Sequence, residues 1–242
     1  MCELCGLAHH RLSRRGLMAG ASAALAASAF PSARLLAAEP PKEGASNAIS
    51  PDAALQRIME GNARYAANAP NERDFSAGRA ARAQGQAPIA AILSCADSRV
   101  APELAFDQQP GDIFVLRVAG NIVNNDLLAS IEYGVQFLGA PLVMVLGHSS
   151  CGAVDAAIKV LKDRVKLPGH LPELIAAIKP SVSAAEKSKA GDLLDNATVE
   201  NVRRQVARLK TAAPLIRKQY AAQKIDIVGG MYDIATGKVT MI

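Results

Sequence analysis

The sequence predicts an α/β protein: a mainly parallel central β-sheet flanked by helices, with an N-terminal helical arm. Three observations carry this. Apolar runs at residues 89–93 and 142–146, and a third at 113–118 broken only by Arg117, have the length expected of strands in a covered sheet. Segments with apolar residues three and four positions apart alternate with these runs. Clusters of Gly, Pro and Asn punctuate the boundaries, and no internal repeat is present.

In chain order, residues 1–38 come first and differ in kind from the rest. Ser13-Arg14-Arg15-Gly16-Leu17-Met18 precedes an Ala/Gly-rich apolar stretch and small residues near Ala37-Ala38. That is the layout of a cleavable export signal of the twin-arginine type. The apolar stretch is too short and small-chained to span a membrane. Residues 39–49 read as a linker, and residues 50–242 as one domain. Ser50-Pro51 supplies an N-cap with proline in the first helical turn, ahead of Leu55, Ile58 and Met59. Ile89–Leu93 is the first strand. Pro110-Gly111-Asp112 turns the chain into the second, Ile113–Val118. Asn124 caps a helix carrying Leu127, Leu128, Ile131, Val135 and Leu138. Leu142–Leu146 is the third strand, stopping at Gly147-His148, and a helix runs on from Cys151. Prolines at 168, 172 and 180 are expected to divide residues 163–195 into short helical pieces. A helix through Val199, Val202, Val206 and Leu209 is expected to run toward Tyr220 despite Pro214. Ile225–Val228 and Gly230–Asp233 read as a strand, and Ala235–Lys238 as a hairpin turn.

Composition narrows function by exclusion. The 242 residues are half hydrophobic and carry a net charge of +5. Four arginines and one glutamate fall in residues 1–38, so the chain without them keeps only +2. Such a balance gives no reason to expect nucleic acid or a membrane as partner, and with no Trp there is no aromatic-and-basic interleaving for base stacking. Cys2 and Cys5, with His9 and His10, form a metal-type cluster, but inside the segment expected to be cleaved. Beyond that segment stand Cys95, Cys151, His148 and His170. His170 lies between prolines and reads as an exposed loop residue.

Two loops concentrate the chemistry. "SCADSRV" at 94–100 follows the first strand, and "GHSSCGAV" at 147–154 closes the third. Functional groups collect at the carboxyl ends of parallel strands, so Cys95 is placed to meet His148 and Cys151. This soft nitrogen and sulfur set suits zinc. Three protein ligands and one open position mark a catalytic rather than a structural ion. A helix beginning just after Cys151 favours its thiolate. Residues 95, 97 and 99 project to one side of an extended chain, which lets Asp97 and Arg99 pair beside the metal. Two other readings stay open: a Cys95–Cys151 disulfide in an exported chain, and an ordinary loop ion pair for Asp97 and Arg99.

These two segments are joined in order by "ALQRIMEGNARYAAN", "QQPGDIFVLRVAGNIV", "ASIEYGVQFLG" and "VGGMYDIATGKV". Together they resemble the β-class carbonic anhydrases over most of residues 50–240. The resemblance implies one zinc ion per chain held by Cys95, His148 and Cys151, with Asp97 and Arg99 as the active-site dyad. It places Gln86 against substrate, and Phe114, Ala119 and Tyr133 around a narrow apolar pocket shared across a dimer interface. Read locally, Phe114 and Tyr133 are core residues and Gln86 a solvated amide. Val118 departs from the family pattern, where many members carry Asn. The lack of Trp weakens any carry-over of the family's tryptophan-containing bicarbonate pocket.

The implied reaction is the reversible hydration of carbon dioxide to bicarbonate and a proton by a zinc-bound hydroxide. Asp97 would orient it while Arg99 holds Asp97 ionised; released by Arg99, Asp97 can close the open metal position. Hydrolysis of COS or CS2 at the same zinc, and a non-catalytic zinc site with Asp97 as fourth ligand, are the alternatives. The implied partners are CO2 and bicarbonate, further copies in a homodimer or larger homo-oligomer, and the twin-arginine machinery on the way to a periplasmic or otherwise exported location. The 51–66 helix is a candidate for wrapping a neighbouring copy.

Overall fold

The computed structural model describes residues 49–188 and 190–242. The expected export signal, the linker up to residue 48, and Cys2, Cys5, His9 and His10 lie outside the described residues. Helix α1 (Pro51–Ala66) starts as expected: Ser50 Oγ accepts the Ala53 N–H at 3.2 Å, with Pro51 in the first turn. Strands β1 (Ala90–Ser94), β2 (Ile113–Arg117), β3 (Leu142–His148) and β4 (Asp226–Tyr232) are parallel, and β5 (Val239–Met241) adds an antiparallel edge. The sheet order is β2-β1-β3-β4-β5. Helices α2 (Arg79–Arg82), α3 (Pro102–Ala105), α4 (Asn125–Gln136), α5 (Gly152–Lys162), α6 (Leu171–Ala185), α7 (Leu193–Thr211) and α8 (Leu215–Ala221), with a short 3-10 turn at Ala119–Asn121, complete the described elements.

Every residue of β1 and β3 is buried, which is why these strands are continuous apolar runs rather than alternating ones. Alternation sorts them between two layers. Ala90, Ile92, Leu142, Met144 and Leu146 pack with residues of α1 and α3; Ala91, Leu93, Val143 and Val145 pack with α4, α7 and α8. A third cluster gathers α5 and α6 around Cys95 and Cys151. In the parallel register Ser94 stands beside both Arg117 and Leu146, and His148 beside Tyr232. The chemistry-bearing loops after β1 and β3 are therefore neighbours.

Two expectations need correction. Residues 171–185 form one helix, with Pro172 in its first turn and Pro180 inside it. An interior proline costs about 3 kcal/mol. Burying Ile175, Ile178 and Val182 returns about 1.5–3 kcal/mol each, so packing wins. The helix through Val199 stops at Thr211, because Pro214 disfavours helical backbone at Ala213, and α8 starts beyond it. Helix α1 packs on its own chain: Ala54 and Ile58 are buried in the core. Asn62 also donates to the carbonyls of Ala105 and Gly237 and accepts the Val239 N–H. Only its outer face is left for a neighbour. Residues 226–232 are one continuous strand, and among the described residues no helix is long and apolar enough to cross a membrane.

One buried charge ties the N-terminal segment down. Asp107, its side chain fully buried, accepts from Arg64 Nε and Arg73 Nη2 at 2.7 Å each and from the Asn71 N–H. Burial pushes its carboxyl up, but the hydrogen bonds from Arg73 and Arg64 outweigh this and leave it below 3.8. The stabilisation is complete above that pH and is lost as the pH falls below it. Removing the acid strands two arginines, one of them nearly buried. Asp107→Ala is expected to cost about 3 kcal/mol, with Tm falling by about 6–12 °C in a thermal scan.

Candidate metal centre

The centre is assembled by strand ends. Cys95 is the first residue after β1; His148 is the last residue of β3; Cys151 is the N-cap of α5. Ser150 takes a positive φ of 55°, turning the chain so that Cys151 comes back toward His148. Gly147 lets α7 lie close behind this corner, since a Cβ there would stand 2.5 Å from Val202 Cγ2. All three side chains are buried, and their ligand atoms lie within 4.8 Å of one another. Cys95 and Cys151 are free thiols here, not a disulfide.

His148 is oriented by its own loop. Its Nδ1 lies 2.9 Å from the Ser149 carbonyl, which can only accept, so Nδ1 carries the proton and Nε2 presents a lone pair. That Nε2 is buried without a hydrogen-bond partner. A buried, unpaired imidazole nitrogen facing two sulfurs is costly unless a cation sits among them. The sulfurs agree with this. Cys95 is pulled down to about 4, first by a hydrogen bond from the Cys151 thiol; burial opposes, and His148 and the N–H groups of Gly120 and Asp97 assist. Cys151 is pushed up by holding its proton in that bond, by burial and by the charge of Cys95, against the pull of the Val154 and Ala153 N–H groups. The pair thus shares one proton between two buried sulfurs. A divalent cation in its place satisfies both thiolates and the imidazole at once, so the donor set fits zinc.

Asp97 and Arg99 pair as expected. Arg99 Nε and Nη2 donate to Asp97 Oδ1 and Oδ2 at 2.9 and 2.8 Å, and the Arg99 N–H adds a third bond at 3.0 Å. Arg99 Nη2 also donates to the Ser150 carbonyl, joining the two loops. The side-chain bonds from Arg99 chiefly hold Asp97 well below the usual carboxylate range. Asp97 Oδ2 stands 4.0 Å from His148 Nε2, at the edge of the ligand set.

The other expected site residues separate. Ala119, half-buried, precedes Gly120, whose N–H donates to Cys95 Sγ at 3.3 Å. Phe114 pairs with Ala91, four residues and about 13 Å before Cys95 along the strand. Tyr133 is 39% exposed on α4, its ring 6.3 Å from Phe114 and 5.5 Å from Phe137. Gln86 is exposed in a groove with Arg82, Gln109 and Asp112, before the amino end of β1. Within one chain, then, Gln86, Phe114 and Tyr133 do not join the ligand set. His170 is exposed, as expected, just ahead of α6. Sequence reasoning overlooked Arg117, which donates to the carbonyls of Cys95 and Asp97 at 3.1 and 2.7 Å and so clamps the loop that presents them. Its place at the end of β2, level with Ser94, was the available signal.

A mainly parallel α/β sheet carrying a buried two-sulfur, one-nitrogen set that could hold a metal, with an acid at its open side, is an arrangement that suits a catalytic zinc. Comparison narrows the class. The carbonic anhydrase family model matches residues 90–239. Carbonic anhydrase 2 of Mycobacterium tuberculosis is 38% identical over 193 residues, 79% of this chain and 93% of that protein. A β-carbonic anhydrase of Coccomyxa, solved with acetazolamide, superimposes with TM-score 0.61 at 28% identity, covering 78% of this chain and 86% of that one. One from Sordaria macrospora, described as tetrameric, gives 0.61 at 27% identity over 68% and 86%. The chain belongs to the carbonic anhydrase family, with the β-class fold, and is an enzyme.

Proposed function

We propose that Cys95, His148 and Cys151 hold one zinc ion per chain and that the site uses it in the reversible hydration of carbon dioxide, the reaction that defines the family. The observation that carries this is the unpartnered, buried His148 Nε2 facing the two sulfurs. When bound, zinc supplies a Lewis acid that brings the pKa of a coordinated water down from 15.7 toward about 7, less far with two thiolates than with three imidazoles because sulfur neutralises more of its charge. Asp97 Oδ2 accepts the hydrogen bond of the attacking water and so fixes which lone pair faces the carbon. Arg99 occupies both carboxylate oxygens, keeping Asp97 ionised and out of the ligand position.

Hydration measured by initial rate against pH is expected to rise from neutral into alkaline solution. Asp97 makes no part of that rise, since its lowered pKa leaves it ionised throughout the range. A flat rate across neutral and alkaline pH would contradict the assignment.

Gln86, Phe114 and Tyr133 act, in this reading, on the site of a second copy. Support comes from β2 lying at the sheet edge with Phe114 and the exposed Tyr133 beside it, and from the tetrameric Sordaria relative. The chain is exported by the twin-arginine route to the periplasm, where residues 39–242 form the mature enzyme. The support is the Arg14-Arg15 pair ahead of its Ala-rich stretch. That route carries folded proteins, so zinc loads before the thiols meet an oxidising compartment. Replacing Arg14 and Arg15 together by lysine is expected to leave uncleaved protein in the cytoplasmic fraction; normal cleavage and release would refute the route.

A further inference from the structure

Helix α7 buries polar side chains where the sheet would accept apolar ones. Asn201 and Gln205 are at most 3% exposed, alongside Ala197, Val202 and Leu209. An unpaired amide in a core costs about 1–3 kcal/mol. These are paired, and with one loop. Asn201 Nδ2 donates to the Gly120 carbonyl at 2.8 Å, and Gln205 Oε1 accepts the Val123 N–H at 2.9 Å. Ser181 Oγ from α6 and Gln205 Nε2 both donate to Asn201 Oδ1, at 3.2 and 3.4 Å, which sets the direction of the Asn201 amide. The two amides therefore grip both ends of the 120–123 turn. That turn needs gripping, because Gly120 and Asn121 both take positive φ, 71° and 42°. From it the Gly120 N–H reaches Cys95 Sγ. Gly120 has no room to move outward, since even a Cβ would stand 2.5 Å from Ile178 Cδ1.

We infer that Asn201 and Gln205 are positioning residues of the metal centre: by holding the Gly120 carbonyl and the Val123 N–H they set the Gly120 N–H against Cys95 Sγ, and so set how much charge that sulfur gives the metal. The inference rests on the zinc reading above. An N–H donor at a thiolate draws charge from it, and such outer partners typically change metal affinity 10–100-fold.

The test uses the full chain loaded with zinc or with cobalt(II), whose sulfur-to-metal charge-transfer absorption reports the charge on the sulfurs. Asn201→Ala is expected to move that band to lower energy and to weaken zinc, in chelator competition, by about 10-fold. Gln205→Met keeps the packing, removes the acceptor for Val123 and one of the two donors to Asn201 Oδ1, and is expected to give a smaller shift of the same sign. Leu209→Ala, on the same helix but away from the turn, is expected to lower Tm and leave the band in place. A band at native energy in both Asn201→Ala and Gln205→Met, each carrying one metal, overturns the inference. If Asn201→Ala does not fold, Gln205→Met and Ser181→Ala decide it by the same criterion. A wild-type protein with no sulfur-to-cobalt band would overturn the metal assignment itself, and this inference with it.

Discussion

Cys151→Ser is expected to abolish zinc binding and carbon dioxide hydration together while the fold survives. The survival follows from position: residue 151 is the N-cap of α5, where serine is among the best residues. The loss follows from chemistry. A serine hydroxyl offers a hard, neutral oxygen in place of a thiolate, and the remaining Cys95 and His148 make an incomplete set. Without the metal, the pKa of the attacking water returns to about 15.7, so activated nucleophile at neutral pH falls by many orders of magnitude and the rate to background. Zinc per chain and initial hydration rate, measured on one preparation, check this. Because metal that binds only the folded state adds stability, the variant is also expected to melt at the temperature of chelator-treated wild type. Stoichiometric zinc with residual fast turnover would contradict it.

The second large effect belongs to Asp97. Asp97→Asn keeps the shape of the side chain and one acceptor for Arg99, but turns an NH2 group toward the site where only an acceptor serves. Hydration is expected to fall by about 10^2–10^3-fold with zinc still at one per chain. The deficit is expected to be constant from neutral to alkaline pH, because Asp97 is held ionised far below that range. A deficit that vanished at high pH would instead make Asp97 a titrating base.

How much of this was legible in the sequence divides along the sheet. β1 and β3 were readable because every residue in them is buried, which forces an unbroken apolar run. The caps at Ser50 and Asn124 were readable because capping is local: Asn124 accepts the Leu127 N–H three residues on. The grouping of Cys95 with the His148–Cys151 loop was readable because parallel strands bring their carboxyl ends to one edge, and β1 and β3 are paired there. What escaped depends on distant partners. Pro180 is tolerated inside α6 because α5 and α7 both pack against that helix. The Gly120 N–H meets a sulfur 25 residues back, and its carbonyl meets an asparagine 81 residues ahead. No local pattern announces either. Gln86, Phe114 and Tyr133 stand apart for another reason: a single chain contains no copy of the surface they are proposed to complete.

The central claim is that Cys95, His148 and Cys151 together hold the catalytic zinc, and zinc K-edge X-ray absorption on the active protein tests it most directly. The expected spectrum contains two sulfurs at about 2.3 Å and one nitrogen at about 2.0–2.1 Å, with one remaining light-atom ligand. A shell of oxygen and nitrogen alone, or four sulfurs, would place the zinc elsewhere and contradict the account.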